Sequence, residues 1–204
     1  MAMVLAAHWD ADATGLTGTD AADSTGGSMT SVSRVESLAR GDVVSGEGSV
    51  DFASAGNAYL IADSFTNADD LFVEMLVFFD AFQVGTVQQL LAIRGTGTSG
   101  VQTFASIAVE GLGSNQARFV VRNAGGFSVN GASTLKVKTL YRVGLHQKKA
   151  TSGSNGVVHG YFVEGNKSFG TAFGSSSSET IPSQAEAVWF GATNTSASIT
   201  FNGR

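Results

Sequence analysis

The chain has 204 residues, 43% hydrophobic and only 14% charged, with a formal net charge of -5. Twelve Lys and Arg against 17 Asp and Glu do not make the basic face that phosphate recognition needs, so nucleic acid is not an expected partner. The lack of cysteine removes disulfide frameworks, zinc–thiolate sites and thiol catalysis.

The first ten residues carry a short apolar run with no basic residue before it. That run is shorter than the ~7–15 residues of a signal-peptide core, and a first strand is predicted instead. Residues 11–34, rich in Gly, Ser, Thr and Asp, read as a long irregular excursion over the surface. Residues 49–53 and 58–62 read as a hairpin pair joined through 54–57. Residues 71–79 are apolar on both faces apart from Glu74 and Asp80 beyond them, which predicts a central strand covered on both sides. A strand at 90–93 is followed by a turn at 95–100, then strands at 106–110 and 118–122. The 123–126 and 153–156 segments supply Asn and Gly for tight connections. Tyr141, Val143 and Leu145 alternate with Arg142, Gly144 and His146, the period-2 pattern of a strand with one wet face. Residues 157–163 and 187–191 give two more strands, and 174–178 reads as a Ser-rich loop.

No stretch carries an apolar stripe at helical spacing, and none approaches the ~20 apolar residues of a membrane span. The expected fold class is therefore all-β, an antiparallel two-sheet sandwich or barrel. Residues 1–204 suit one domain, since all-β domains commonly reach about 200–250 residues.

The order of these segments resembles the concanavalin A-like, laminin G-like jelly roll over nearly the whole chain. The opening residues 5–10, with Thr19, Asp20, Asp23 and Ser24, are similar to that family's first strand and polar loop. Val50-Asp51-Phe52 and Ala58-Tyr59-Leu60-Ile61 resemble its next step, and 71–77 the strand that follows an Asx-rich turn, here 67–70. Later, Leu140-Tyr141-Arg142-Val143-Gly144-Leu145 is similar to the Trp/Tyr-His-Val-Ala strand, and 158–165 to the strand ending in Val-Asn/Asp-Gly. Val188-Trp189-Phe190-Gly191 and Phe201-Asn202-Gly203 resemble the family's closing turns. The family continues with one more strand where this sequence stops at Arg204, so an incomplete sequence is expected. The resemblance implies a sandwich used for glycan or protein recognition, often with calcium, with a minority of hydrolases and lyases.

Enzyme chemistry finds little support in the residues. A glycosidase needs two carboxylates ~5–10 Å apart, whereas Glu74 and Asp80, six residues apart on one strand, stand about 20 Å apart. The family's Glu-x-Asp-x-x-Glu signature is absent. Tyr161-Phe162-Val163-Glu164-Gly165 resembles an alginate lyase strand, but its partner strands are missing. His8, His146 and His159 have no metal-binding spacing, and structural roles in strands are expected. Gly95-Thr96-Gly97-Thr98-Ser99-Gly100 has dinucleotide-fingerprint spacing, but no helix follows, so a hairpin loop is expected. Arg40-Gly41-Asp42 and the sequons at Asn166 and Asn194 are read as chance matches.

Calcium is the candidate cofactor, because loops supply the oxygens it takes. Asp10, Asp12, Asp20 and Asp23 are the candidate ligands, with Asp69 and Asp70 in a second loop. The alternative is that all are solvated turn carboxylates. Trp9 and Trp189 lie in strands and are assigned to the core rather than to a sugar platform.

The sequence thus predicts a non-enzymatic recognition or adhesion module that binds glycans through its loops. The alternative is a structural protein of a larger assembly, such as a phage virion surface or decoration protein; a lyase or hydrolase relative stands third. Expected partners are a glycan or neighbouring subunits in a homo-oligomer or larger assembly. The expected setting is extracellular or a virion surface.

Overall fold

A computed structural model describes residues 28–30, 33–36, 48–51, 59–62 and 67–191, the last stretch apart from 80, 83, 86, 114, 124, 127, 132, 133 and 166. The regular elements among the described residues are strands: β1 (Ser28–Thr30), β2 (Ser33–Glu36), β3 (Gly48–Asp51), β4 (Tyr59–Ala62), β5 (Asp70–Phe78), β6 (Val87–Gly97), β7 (Gly100–Gly113), β8 (Gln116–Asn123), β9 (Ser128–Asn130), β10 (Leu140–Lys148), β11 (Gly156–Glu164), β12 (Gly174–Glu179) and β13 (Ala187–Gly191). They form a seven-stranded sheet in the order β1-β4-β13-β6-β7-β8-β9 and a four-stranded sheet in the order β12-β11-β10-β5. β2 and β3 pair separately. All neighbouring strands run antiparallel.

The turns are built by the residues that tolerate positive φ. Residues 98 and 99 link β6 to β7, with Gly100 at φ 95°, so the fingerprint-like glycines close a hairpin as expected. Asn115, at φ 61°, turns β7 into β8. Between β10 and β11 the Asn155 carboxamide organises the loop. Its Oδ1 accepts from the Thr151 and Ser152 backbone N–H groups at 2.8 and 3.2 Å, and its Nδ2 donates to Thr151 Oγ1 at 2.9 Å.

The core lies between the two large sheets, where alternate side chains of facing strands meet. β10 contributes Tyr141, Val143 and Leu145; β7 contributes Ile107 and Val109; β8 contributes Phe119 and Val121. Phe119 is fully buried at the centre of an aromatic group, with ring centroids 5.0 Å from Phe162, 5.8 Å from Tyr141, 6.2 Å from Phe79 and 6.4 Å from Phe173. Beside this group the sheets approach closely: a Cβ on Gly160 would stand 2.9 Å from Val121 Cβ and 3.0 Å from the Phe173 ring.

Four expectations change. β3 pairs with β2, and β4 with β1 and β13, so 49–53 and 58–62 are not a hairpin pair. Strands 28–30 and 33–36 interrupt the stretch read as irregular. The Ser-rich segment is strand β12, because backbone bonding to β11 does not depend on side chains. Among the described residues β5 pairs with β10 alone rather than lying between two strands, and it is half-buried over much of its length.

Candidate functional sites on the two outer faces

Alternation along the strands assigns each side chain to the core or to an outer face. On the seven-stranded sheet, core residues Ile93, Ile107 and Val121 place Ala92, Ser106 and Arg122 on the outer face. Trp189 shares that face, since its neighbour Val188 is buried in the core and Phe190 packs against it. The register then lines up Trp189, Ala92, Ser106 and Arg122 in one row across four strands. Three interstrand steps make this row about 14 Å long. Trp189 is therefore not a core residue.

Small side chains shape this face. Ala92, Ser106 and Ala108 are almost inaccessible, and a depression forms above them, lined by Val87, Gln89, Ser106, Ala108 and Arg122. At one end the Arg94 guanidinium lies 4.0 Å from the Trp189 ring centroid, a cation–π contact. Nearby, Thr96 Oγ1 donates to Glu186 Oε2 at 2.8 Å. Towards the other end Arg118 Nε donates to Glu110 Oε2 at 2.7 Å, so that carboxylate is engaged. Arg122 is exposed. Among the described residues this face thus carries an aromatic ring, a hydroxyl and a guanidinium in one row, with the Gln89 amide in the next.

The outer face of the four-stranded sheet carries an Arg–Glu ion pair and two histidines. Arg142, Gly144 and His146 of β10 alternate with its core residues, as the sequence pattern predicts. Arg142 Nη2 donates to both oxygens of Glu74, at 2.9 and 2.7 Å, and its Nη1 donates to the Lys167 carbonyl at 3.1 Å. Phe169 sits over Gly144, 5.9 Å from Phe72, 5.7 Å from Tyr161 and 4.8 Å beneath the Arg142 guanidinium. A Cβ at 144 would stand 2.8 Å from the tip of the Phe72 ring and 2.9 Å from that of Phe169, so both rings would have to shift to admit one.

His146 and His159 are register partners on β10 and β11, with ring centroids 5.5 Å apart. His146 Nε2 bonds Asp70 Oδ1 at 2.7 Å, and Tyr161 Oη bonds His159 Nδ1 at 3.2 Å. Burial, and then the neighbouring His146, hold the His159 imidazole below its ordinary pKa.

The calcium candidates Asp10, Asp12, Asp20 and Asp23 lie outside the described residues, as do His8, Trp9, Asp80, Arg40-Gly41-Asp42 and both sequon asparagines. Asp69 and Asp70 are described and form ion pairs: Asp69 Oδ1 lies 3.5 Å from Lys149 Nζ, while Asp70 faces His146 and, at 4.0 Å, Lys148. Among the described residues no group of three or more His, Asp or Glu is placed to hold a metal ion. Gln89, Ser106, Arg122 and the His146–His159 pair were not singled out from sequence. Arg118 and Arg122 lie four apart in one strand, which puts both on the same face as Val120. Nothing local pairs residues 146 and 159, which lie 13 apart and meet only through the strand register.

No protein-family model and no curated protein matches the chain. Two solved structures do. An endo-β-1,4-glucuronan lyase from Trichoderma reesei is 13% identical, with a TM-score of 0.53 over 81% of this chain and 77% of the other. A heptameric SAP-like pentraxin from Limulus polyphemus is 10% identical, with a TM-score of 0.48 over 74% and 70%. The protein has a jelly-roll sandwich fold. At this identity the likeness concerns the fold alone, and it agrees with the concanavalin A-like architecture expected from the order of motifs.

Proposed function

We propose that the protein is a non-enzymatic recognition module that binds a glycan across the outer face of its seven-stranded sheet. The observation that carries this reading is the row Trp189, Ala92, Ser106, Arg122, whose Ser106–Arg122 end lines a depression with small residues at its floor. A sugar ring needs a flat partner and laterally placed hydrogen-bonding groups; the Trp189 ring, one face of which Arg94 covers, supplies the first, and Gln89, Ser106 and Arg122 supply the second. Arg122 gives the groove a donor suited to a carboxylate-bearing sugar. On this reading recognition uses a sheet face rather than the loops expected from sequence. Glu110, the carboxylate on this face beside Arg118, is held in an ion pair, which favours binding over hydrolysis.

The test is a glycan array with the full chain, followed by calorimetry on the best ligand with and without EDTA. Arg122→Ala is expected to weaken binding about ten-fold or more, the loss of a charge-assisted hydrogen bond, and Trp189→Ala to weaken it as well. Unchanged affinity in both variants refutes this face as the site.

Subunit assembly is the second reading, favoured by β5. Among the described residues this nine-residue strand is paired on one side only, with Leu76 38% exposed, and a strand so placed can pair with a neighbouring chain. Light scattering after size exclusion decides it: a large assembly that ignores EDTA supports assembly, and a monomer counts against it.

A further inference from the structure

We infer that His146 and His159 form a two-histidine chelate for a divalent transition-metal ion on the outer face of the four-stranded sheet, independent of the groove on the opposite face. The two residues sit directly across from each other on antiparallel β10 and β11. Their side chains share the outer face, because Leu145 and Val158 beside them point into the core.

The spacing fits the metal. With a metal–nitrogen bond of ~2.0–2.1 Å and a further ~1.1 Å to the ring centre, each imidazole centroid lies about 3.2 Å from the ion. Two such rings at a tetrahedral angle have centroids about 5.2 Å apart. The observed separation is 5.5 Å, within a few tenths of an ångström of that value.

Each ring also has a partner on its other nitrogen, as metal-binding histidines do. Asp70 Oδ1, 2.7 Å from His146 Nε2, accepts its N–H and leaves the Nδ1 lone pair for the ion. Tyr161 Oη, 3.2 Å from His159 Nδ1, accepts that N–H in the tautomer whose Nε2 binds metal. Arg142, two residues before Gly144 on the same face, is neutralised by Glu74 and adds little repulsion. Lys148 does face Asp70 at 4.0 Å and is half-exposed. With no third His, Asp or Glu grouped around the point among the described residues, water completes the coordination. Imidazole ligands without thiolate suit zinc, nickel or copper over calcium or magnesium.

The test is calorimetric titration of the full chain with zinc chloride and nickel chloride. Saturable binding at one ion per chain, with micromolar affinity, is expected. His146→Gln and His159→Gln are each expected to abolish it, and His8→Gln to leave it unchanged. Tyr161→Phe, which keeps both ligands and the ring, is expected to weaken binding about ten-fold by removing the orienting hydroxyl. Histidine side-chain NMR on the unmodified protein gives a readout that needs no variant: nickel broadens the His146 and His159 signals together. Absence of saturable binding at millimolar metal overturns the inference. So does binding that survives both glutamine variants, or nickel broadening confined to His8.

Discussion

Phe119→Ala tests whether the two sheets are held together by the aromatic group between them. Phe119 has no exposed surface and its ring meets those of Phe79, Tyr141, Phe162 and Phe173, with centroids 5.0 to 6.4 Å away. Truncation removes the transfer energy of a buried phenyl group and leaves a void that rigid strands cannot fill, together about 3–5 kcal/mol. Against a total stability of about 5–15 kcal/mol, the variant stays largely folded except at the lower end of that range. Urea unfolding followed by tryptophan fluorescence measures the change. With an m-value of about 2–3 kcal/mol/M, the midpoint should fall by about 1–2 M at unchanged slope. Phe169→Ala, a half-buried ring on the outer face, is the control and should cost only about 1 kcal/mol. A Phe119→Ala loss no larger than the control's would falsify this account of the core.

Two further outcomes follow from particular contacts. Burial is the main cause that raises the pKa of Tyr141, with the Glu164 carboxylate adding to it, although the Lys136 N–H bond at 2.8 Å acts the other way. The unfolded chain therefore loses this proton more readily than the native one, and Tyr141's contribution to stability is full below pH 10 and lost as pH rises above it. Tyr141→Phe should lower stability by about 1 kcal/mol at neutral pH through the lost hydrogen bond. It should also flatten the alkaline limb of a plot of unfolding midpoint against pH; an equally steep limb would count against this assignment. Gly160→Ala pushes a methyl group against Val121 and Phe173 and should destabilise by about 1–3 kcal/mol in thermal melts. Gly170→Ala, with nothing within 4 Å, should leave the midpoint unchanged or raise it.

Much of the fold is legible in the linear chain. Alternation at Tyr141, Val143 and Leu145 assigns those residues to the core, and the Asn and Gly clusters at 123–126 and 153–156 mark real turns. These are local properties: a period of two fixes which face a side chain takes within its own strand, and positive φ selects Gly or Asn at the turn itself. The motif order also leads to the jelly-roll sandwich.

Which strands lie side by side is not local. Ladder hydrogen bonds join backbone to backbone and carry almost no sequence signal, so β4 could not be separated from β3 by inspection, and a run of serines could become β12. The same reason hid both candidate sites. Trp189 and Arg122 fall in one row only because β13, β6, β7 and β8 stack in that order, and His146 meets His159 only because β10 and β11 pair in that register. Composition and periodicity determine that this chain folds as a sandwich; the pairing of its strands decides which side chains act together.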